Sequence, residues 1–136
     1  KEGEGLRLAL STLDRLRATV GASACGMAAR ALFEAVQHAQ SRRQFGKPLA
    51  DLQLIQEKIA RMAIRLRASR LLVYQAAALR DAGRPRVEVK QAASVAKLYA
   101  TEAAVTATRI ATARTRTSAG ASGRSTTRST RRSLAP

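Results

Sequence analysis

Within the thirteen residues Ser41-Arg-Arg-Gln-Phe-Gly-Lys-Pro-Leu-Ala-Asp-Leu-Gln53, the chain sets two guanidiniums, two amides and an aromatic ring around one turn. A planar guanidinium forks onto two oxygens of a phosphate, and a ring beside an amide covers a flat base while bonding its edge. Arg42, Gln44, Phe45 and Gln53 therefore suit the phosphates and adenine of a nucleotide cofactor. The competing reading gives Arg42 and Arg43 to the negative end of a helix and Phe45 to the core. Asp14 and Arg17, spaced i, i+3, share one helical face and are placed to pair with each other. His38, the only histidine, has no Ser, Cys or second His at useful spacing and reads as a surface or interface residue. Cys25 lies among Ala, Gly and Met at helical spacing and reads as a small core residue.

Helices must hold these groups. From Leu6 the apolar positions Leu8, Leu10, Leu13, Leu16, Val20, Ala24, Met27, Ala28, Ala31, Leu32 and Ala35 recur mostly at steps of three and four. Ser11, Thr12 and Asp14 are good caps, so the pattern predicts a short helix to about Ser11 and a long one over 13–42. Gly21 and Gly26 weaken that helix slightly and leave room for a close neighbour. A second helix is predicted over 50–82 on the stripe Ile55, Ile59, Met62, Leu66 and Val73, with Asp51 at its cap or first turn and Gly83 and Pro85 as its stop. A third is predicted over 87–111, with Ala92, Val95, Leu98, Tyr99 and Val105 inward. Ile55, Ile59, Met62 and Leu66 should be buried against Met27, Ala31, Val95 and Leu98. Short connections make consecutive helices antiparallel neighbours. The fold class is all-α, an up-down helical bundle that lacks a fourth helix and leaves an apolar stripe uncovered.

Composition narrows the function classes. The 136 residues are 46% hydrophobic but only 3% aromatic, mostly Ala and Leu, which favours close-packed helices over a sandwich or barrel. No apolar run approaches the roughly 20 residues that span a bilayer, and no signal-peptide pattern opens the chain. One cysteine makes no internal disulfide and points to a reducing, cytoplasmic compartment. Of the net charge of +16, the segment 112–136 supplies +6, with six Arg, six Thr, five Ser and no acid. That segment cannot offset its ordering entropy by burial, so it is expected to be a disordered basic tail after a domain over 1–111. The remaining +10 suits a phosphate-bearing ligand or a solvated face. Without interleaved aromatics or a recognition-helix motif, it argues against nucleic acid.

Taken in order, Gly3-Glu-Gly-Leu-Arg-Leu-Ala-Leu-Ser-Thr-Leu-Asp-Arg-Leu-Arg17, then Gly26-Met-Ala28 with Ala31, Leu32 and Ala35, then Arg42 to Gln53, Leu71-Leu-Val-Tyr74 with Ala76, and Lys90 to Lys97-Leu-Tyr-Ala-Thr-Glu-Ala103 resemble the C-terminal helical domain of acyl-CoA dehydrogenases over residues 1–111. The resemblance implies a four-helix bundle in a homo-oligomer, with FAD touching the bundle of a neighbouring subunit. It implies α,β-dehydrogenation of an acyl-CoA thioester, with electron-transfer flavoprotein as the acceptor. By resemblance, Arg42 pairs with the FAD pyrophosphate, Gln44 and Phe45 bond and cover the cofactor, and Gln53 reaches it from the next helix. Asp14 and Arg17 match an Asp-x-x-Arg motif that contacts acyl-CoA.

The chain departs from the family pattern at two places. Some members carry the catalytic base two residues after that aspartate, where this sequence has Leu16, and no Tyr-Glu-Gly-like segment follows. No catalytic residue is therefore assigned. A Gln-x-x-Gly-Gly-x-Gly motif is expected after Ile110, and the Arg-rich stretch stands there instead, the kind of mixture an out-of-frame ending of a GC-rich gene would give. The alternatives are an acyl-CoA oxidase-like flavoprotein domain, or a non-enzymatic basic helical binding module.

Overall fold

The structure, a computed structural model, describes residues 3–119. Helix α1 (Gly5–Ser41) leads into a two-stranded hairpin, β1 (Arg43–Gln44) and β2 (Lys47–Pro48), then a 3-10 turn over Leu49–Asp51. Helices α2 (Gln53–Asp81) and α3 (Arg86–Ala119) complete the order. The three long helices pack on one another, each against both of the others. The all-α bundle is as expected, with a small antiparallel hairpin added.

The junctions follow from local chemistry. At the end of α2, Gly83 takes the left-handed conformation at φ +64°. Its N–H bonds the Arg80 carbonyl at 3.1 Å, and the Arg84 N–H bonds that of Leu79 at 3.1 Å. This is a Schellman motif, which satisfies the last carbonyls and turns the chain. Pro85 then leads into α3, so Gly83 and Pro85 act as the expected stop. At the other junction the Arg42 carbonyl accepts from the Leu49 N–H at 2.9 Å, and Leu49 is buried in the 3-10 turn, which packs on α1 and α2.

Three boundary expectations are corrected. There is no restart near Ser11: the Ser11 and Thr12 hydroxyls donate back to the Leu8 carbonyl at 2.8 and 3.0 Å, a bond made inside an unbroken helix. Asp51 does not cap α2, which opens from Leu52 without a side-chain cap, because Asp51 ends the preceding 3-10 turn. Helix α3 runs eight residues beyond its expected end at 111, since no Gly or Pro interrupts Thr112–Ala119. The remainder of the expected disordered tail, 120–136, lies outside the described residues.

The core is built from small side chains. Ala24, Cys25, Ala28 and Ala35 of α1 and Ala100, Ala104 and Ala107 of α3 close around Met62 and Leu66 of α2. A second cluster joins Ala76 to Ala93 and Ala96. The helices approach closely at Gly21, where an added Cβ would meet Val73 Cγ2 at 3.2 Å and the Ala96 carbonyl oxygen at 3.5 Å. Gly26 has nothing within 4 Å, so only one of the two glycines marks a close approach. Met62 and Leu66 are buried, and Ile55 and Ile59 half-buried.

Their expected partners Met27, Val95 and Leu98 face outward, however, as do Leu8, Leu10, Leu13, Leu16, Val20, Tyr99 and Val105. The reason is geometric. Between helices this close together most inward positions hold Ala, Gly, Cys or Ser, with Met62 and Leu66 as the large buried exceptions, and most of the other bulky chains fall on the outer faces. The uncovered apolar surface expected of a three-helix unit is present.

Candidate functional site

Two groups of predicted site residues lie at opposite ends of α1. Asp14 and Ser41 are separated by about 27 residues of helix, roughly 40 Å at 1.5 Å per residue. The structure therefore does not bring Arg42, Gln44, Phe45 and Gln53 together with Asp14 and Arg17.

The first group forms the α1–α2 corner. Arg42 caps α1 with its N–H on the His38 carbonyl at 2.9 Å, which leaves its guanidinium exposed. The pairing of Arg43 with Pro48 and of Gln44 with Lys47 leaves Phe45 and Gly46 as a two-residue loop. Both have positive φ, +53° and +79°, as a type I′ turn requires. Glycine accepts this freely; phenylalanine does not, since its Cβ crowds the carbonyl. The chain holds Phe45 in a disfavoured conformation, and the residue is 88% exposed. The ring is therefore not core, and the competing reading of Phe45 falls. Gln53, the first residue of α2, is also exposed.

The second group is a cross-helix network. Asp14 Oδ1 pairs with Arg17 Nη2 at 3.0 Å, and its Oδ2 pairs with Lys90 Nζ at 2.9 Å. Arg17 Nη1 donates to Ser94 Oγ at 2.6 Å, and that hydroxyl donates to the Lys90 carbonyl at 2.7 Å. The Lys90 hydrogen bond, aided by the charges of Lys90, Arg17 and Arg86, holds the Asp14 carboxyl below its ordinary value of 3.8 against the opposing effect of burial.

Asp14 and Lys90 open onto a cleft of about 640 Å³ between α1, the end of α2 and the start of α3. Arg15, Arg80, Arg84 and Arg86 line it too, so five basic chains face two acidic ones, Asp14 and Asp81. Such a cleft suits an anionic ligand. Sequence reasoning singled out Asp14 and Arg17 and gave no site role to Lys90, Ser94 or Arg80, which the structure brings beside them. Spacing along one helix carries no register between helices, so only the i, i+4 relation of Lys90 and Ser94 was there to see.

His38 is half-buried near the end of α1, and Cys25 is buried in the core, where burial raises its thiol pKa and keeps it unreactive. Among the described residues no group of His, Cys, Asp or Glu is placed to hold a metal ion, and no helix is long and apolar enough to cross a membrane.

Comparison with known proteins gives a family-model match to "Acyl-CoA dehydrogenase, C-terminal domain" over residues 3–125. Benzylmalonyl-CoA dehydrogenase of Aromatoleum aromaticum is 46% identical over 104 residues, covering 76% of this chain and 27% of that protein. A structure of a glutaryl-coenzyme A dehydrogenase glutaryl-CoA complex superposes with a TM-score of 0.74 at 36% identity, over 83% of this chain and 28% of that one. A structure of PigA with FAD and proline gives 0.73 at 27% identity, over 85% and 29%. The chain spans about a quarter of the length of the curated relatives it matches.

Proposed function

The chain belongs to the acyl-CoA dehydrogenase family, matching its C-terminal domain, and on that premise we propose that it supplies FAD and subunit-interface contacts to an enzyme that dehydrogenates an acyl-CoA thioester. The observation that carries the cofactor reading is the α1–α2 corner, where a strained turn presents the Phe45 ring to the outside between the exposed Arg42 and Gln53. Strain of this kind persists only where the surrounding structure imposes it, and it concentrates at ligand-binding positions. The donor set fits the group: Arg42 would grip the pyrophosphate, Gln44 and Gln53 would bond polar edges, and Phe45 would cover a flat face. FAD, when bound, supplies the acceptor for the hydride leaving the acyl β-carbon.

This chain's own part is binding and orientation. Asp14 and Arg17 serve as acyl-CoA contacts, beside a basic cleft suited to a thioester whose carrier bears phosphates. With Leu16 at the position where some relatives hold a base, the proton acceptor lies elsewhere in the enzyme. Because the two ends of α1 are far apart, the flavin held at Arg42 and the acyl-CoA at Asp14 belong to different active sites. That arrangement calls for a homo-oligomer. Electron-transfer flavoprotein is the acceptor that family membership suggests, and the PigA–FAD and glutaryl-CoA complexes support the ligand classes.

The test is Arg42→Ala in a full-length acyl-CoA dehydrogenase carrying this corner. FAD retention should weaken by about 1.5–3 kcal/mol, the range for a charge-assisted hydrogen bond. Unchanged flavin content in the purified variant would defeat the assignment.

A further inference from the structure

Four contacts close a ring that ties α1 to α3. Asp14 uses both carboxylate oxygens, one on Arg17 and one on Lys90. Arg17 uses one nitrogen on Asp14 and another on Ser94. Ser94 spends its single proton on the Lys90 carbonyl and so must accept, not donate, toward the guanidinium. Arg17 donates on both of its sides and Asp14 accepts on both of its own, so donors and acceptors match all round the ring and each member constrains the next.

A pair i, i+3 on one exposed helix contributes little and is easily broken by solvent. Arg17 is different, because a second helix fixes its other edge. The guanidinium is held at two of its nitrogens and keeps further N–H donors available, with its side chain 38% exposed. Asp14 has less to offer, being 18% exposed with both oxygens engaged.

We infer that Lys90 and Ser94 are positioning residues: through Asp14 and directly, they fix the Arg17 guanidinium in the orientation that meets the acyl-CoA, and Asp14 acts mainly as the link. This rests on the reading of Asp14 and Arg17 as acyl-CoA contacts. The roles divide by chemistry. Lys90 cancels the Asp14 charge and clamps its far oxygen, so the carboxylate cannot swing away with Arg17. Ser94 sets the plane of the guanidinium by receiving one N–H from the α3 side.

The inference is tested on the 136-residue chain by following the Arg17 side-chain N–H signals by NMR and titrating with coenzyme A at millimolar concentration. In the wild type the Arg17 signals should be sharp and slow to exchange. Ser94→Ala and Lys90→Met should both collapse them and weaken coenzyme A binding about tenfold, the loss of one charge-assisted bond. Ser94→Thr, which keeps a hydroxyl, and Lys90→Arg, which keeps the charge, should recover most of the affinity. Arg17 signals unaltered by Ser94→Ala and Lys90→Met would overturn the inference. So would signals that collapse while coenzyme A affinity stays at the wild-type value, since the pair would then only brace the helices. No response of the wild-type chain to coenzyme A is a different failure. It would sink the acyl-CoA reading itself, and the role assigned to Lys90 and Ser94 with it.

Discussion

At the scale of single residues, the proposed flavin contact sets stability against binding at Phe45. A phenylalanine at φ +53° costs about 1–2 kcal/mol relative to a residue that tolerates the left-handed region, and its exposed ring recovers none of that by burial. Asn followed by Gly is the preferred filling of a type I′ turn. Phe45→Asn should therefore stabilise the chain by about 1 kcal/mol in a thermal melt. The same substitution should lower flavin retention in a full-length enzyme. A melt left unchanged or lowered would mean that the ring packs on something in the folded chain.

Asp14 gives a prediction in pH. Its folded carboxyl titrates below the ordinary 3.8, chiefly because of the Lys90 hydrogen bond, with Arg17 and Arg86 adding their charges. A carboxylate whose pKa is lowered on folding contributes stability that is complete above the unfolded value and is lost as pH falls through the folded one. The wild-type melting temperature should thus drop more steeply below about pH 3.8 than that of Asp14→Asn. Parallel acid limbs for the two proteins would show that the Lys90 pairing is not made in solution.

At the scale of elements, the sequence was readable wherever one residue type forces one conformation. Gly83 and Pro85 marked the end of α2 because only glycine enters the left-handed region without penalty. With φ at +64° and open space around it, Gly83→Ala meets no clash, so its cost is conformational alone. It should destabilise by about 1 kcal/mol in denaturant unfolding, and a loss several times larger would point to contacts the turn does not have.

The helices were legible by existence, and their facing was not. Periodicity ranks positions by hydrophobicity, and so it placed Val95 and Leu98 inward, whereas Ala93, Ala96 and Ala100 hold the inner face of α3. Close helix approach selects for small side chains, and nothing in a single sequence distinguishes an alanine that fills a contact from one that fills space. Ala96, fully buried against the Gly21 level of α1, is where that reading is testable. Ala96→Leu should cost about 1–3 kcal/mol by overpacking. The Arg42 corner was legible as a motif, while its hairpin and positive φ were not, because Phe is the wrong residue for that turn by propensity.

At the scale of the whole molecule, the large apolar side chains decide what the chain does alone. Leu6, Leu13, Val20 and Met27 repeat every seven residues along α1, so they share one slowly drifting face, and all four are exposed. Val95, Leu98 and Val105 are exposed along α3. Monomeric soluble proteins seldom leave contiguous apolar stripes of this length in water. Such stripes need a cover, from other surfaces or from a second copy. In either case the isolated chain should self-associate in a concentration-dependent way at micromolar levels in sedimentation velocity. Leu13→Glu with Leu98→Glu should shift it toward monomer. Because both positions are exposed, the double variant should alter the melting temperature of dilute protein little, within about 0.5 kcal/mol per site. Leu66→Asp is the internal contrast: Leu66 is buried beside Met62, and an unpaired carboxylate there should unfold the bundle rather than disperse it. If the exposed pair unfolds the chain as readily as Leu66→Asp does, the outer stripes are part of the core and the three-helix packing described above is wrong.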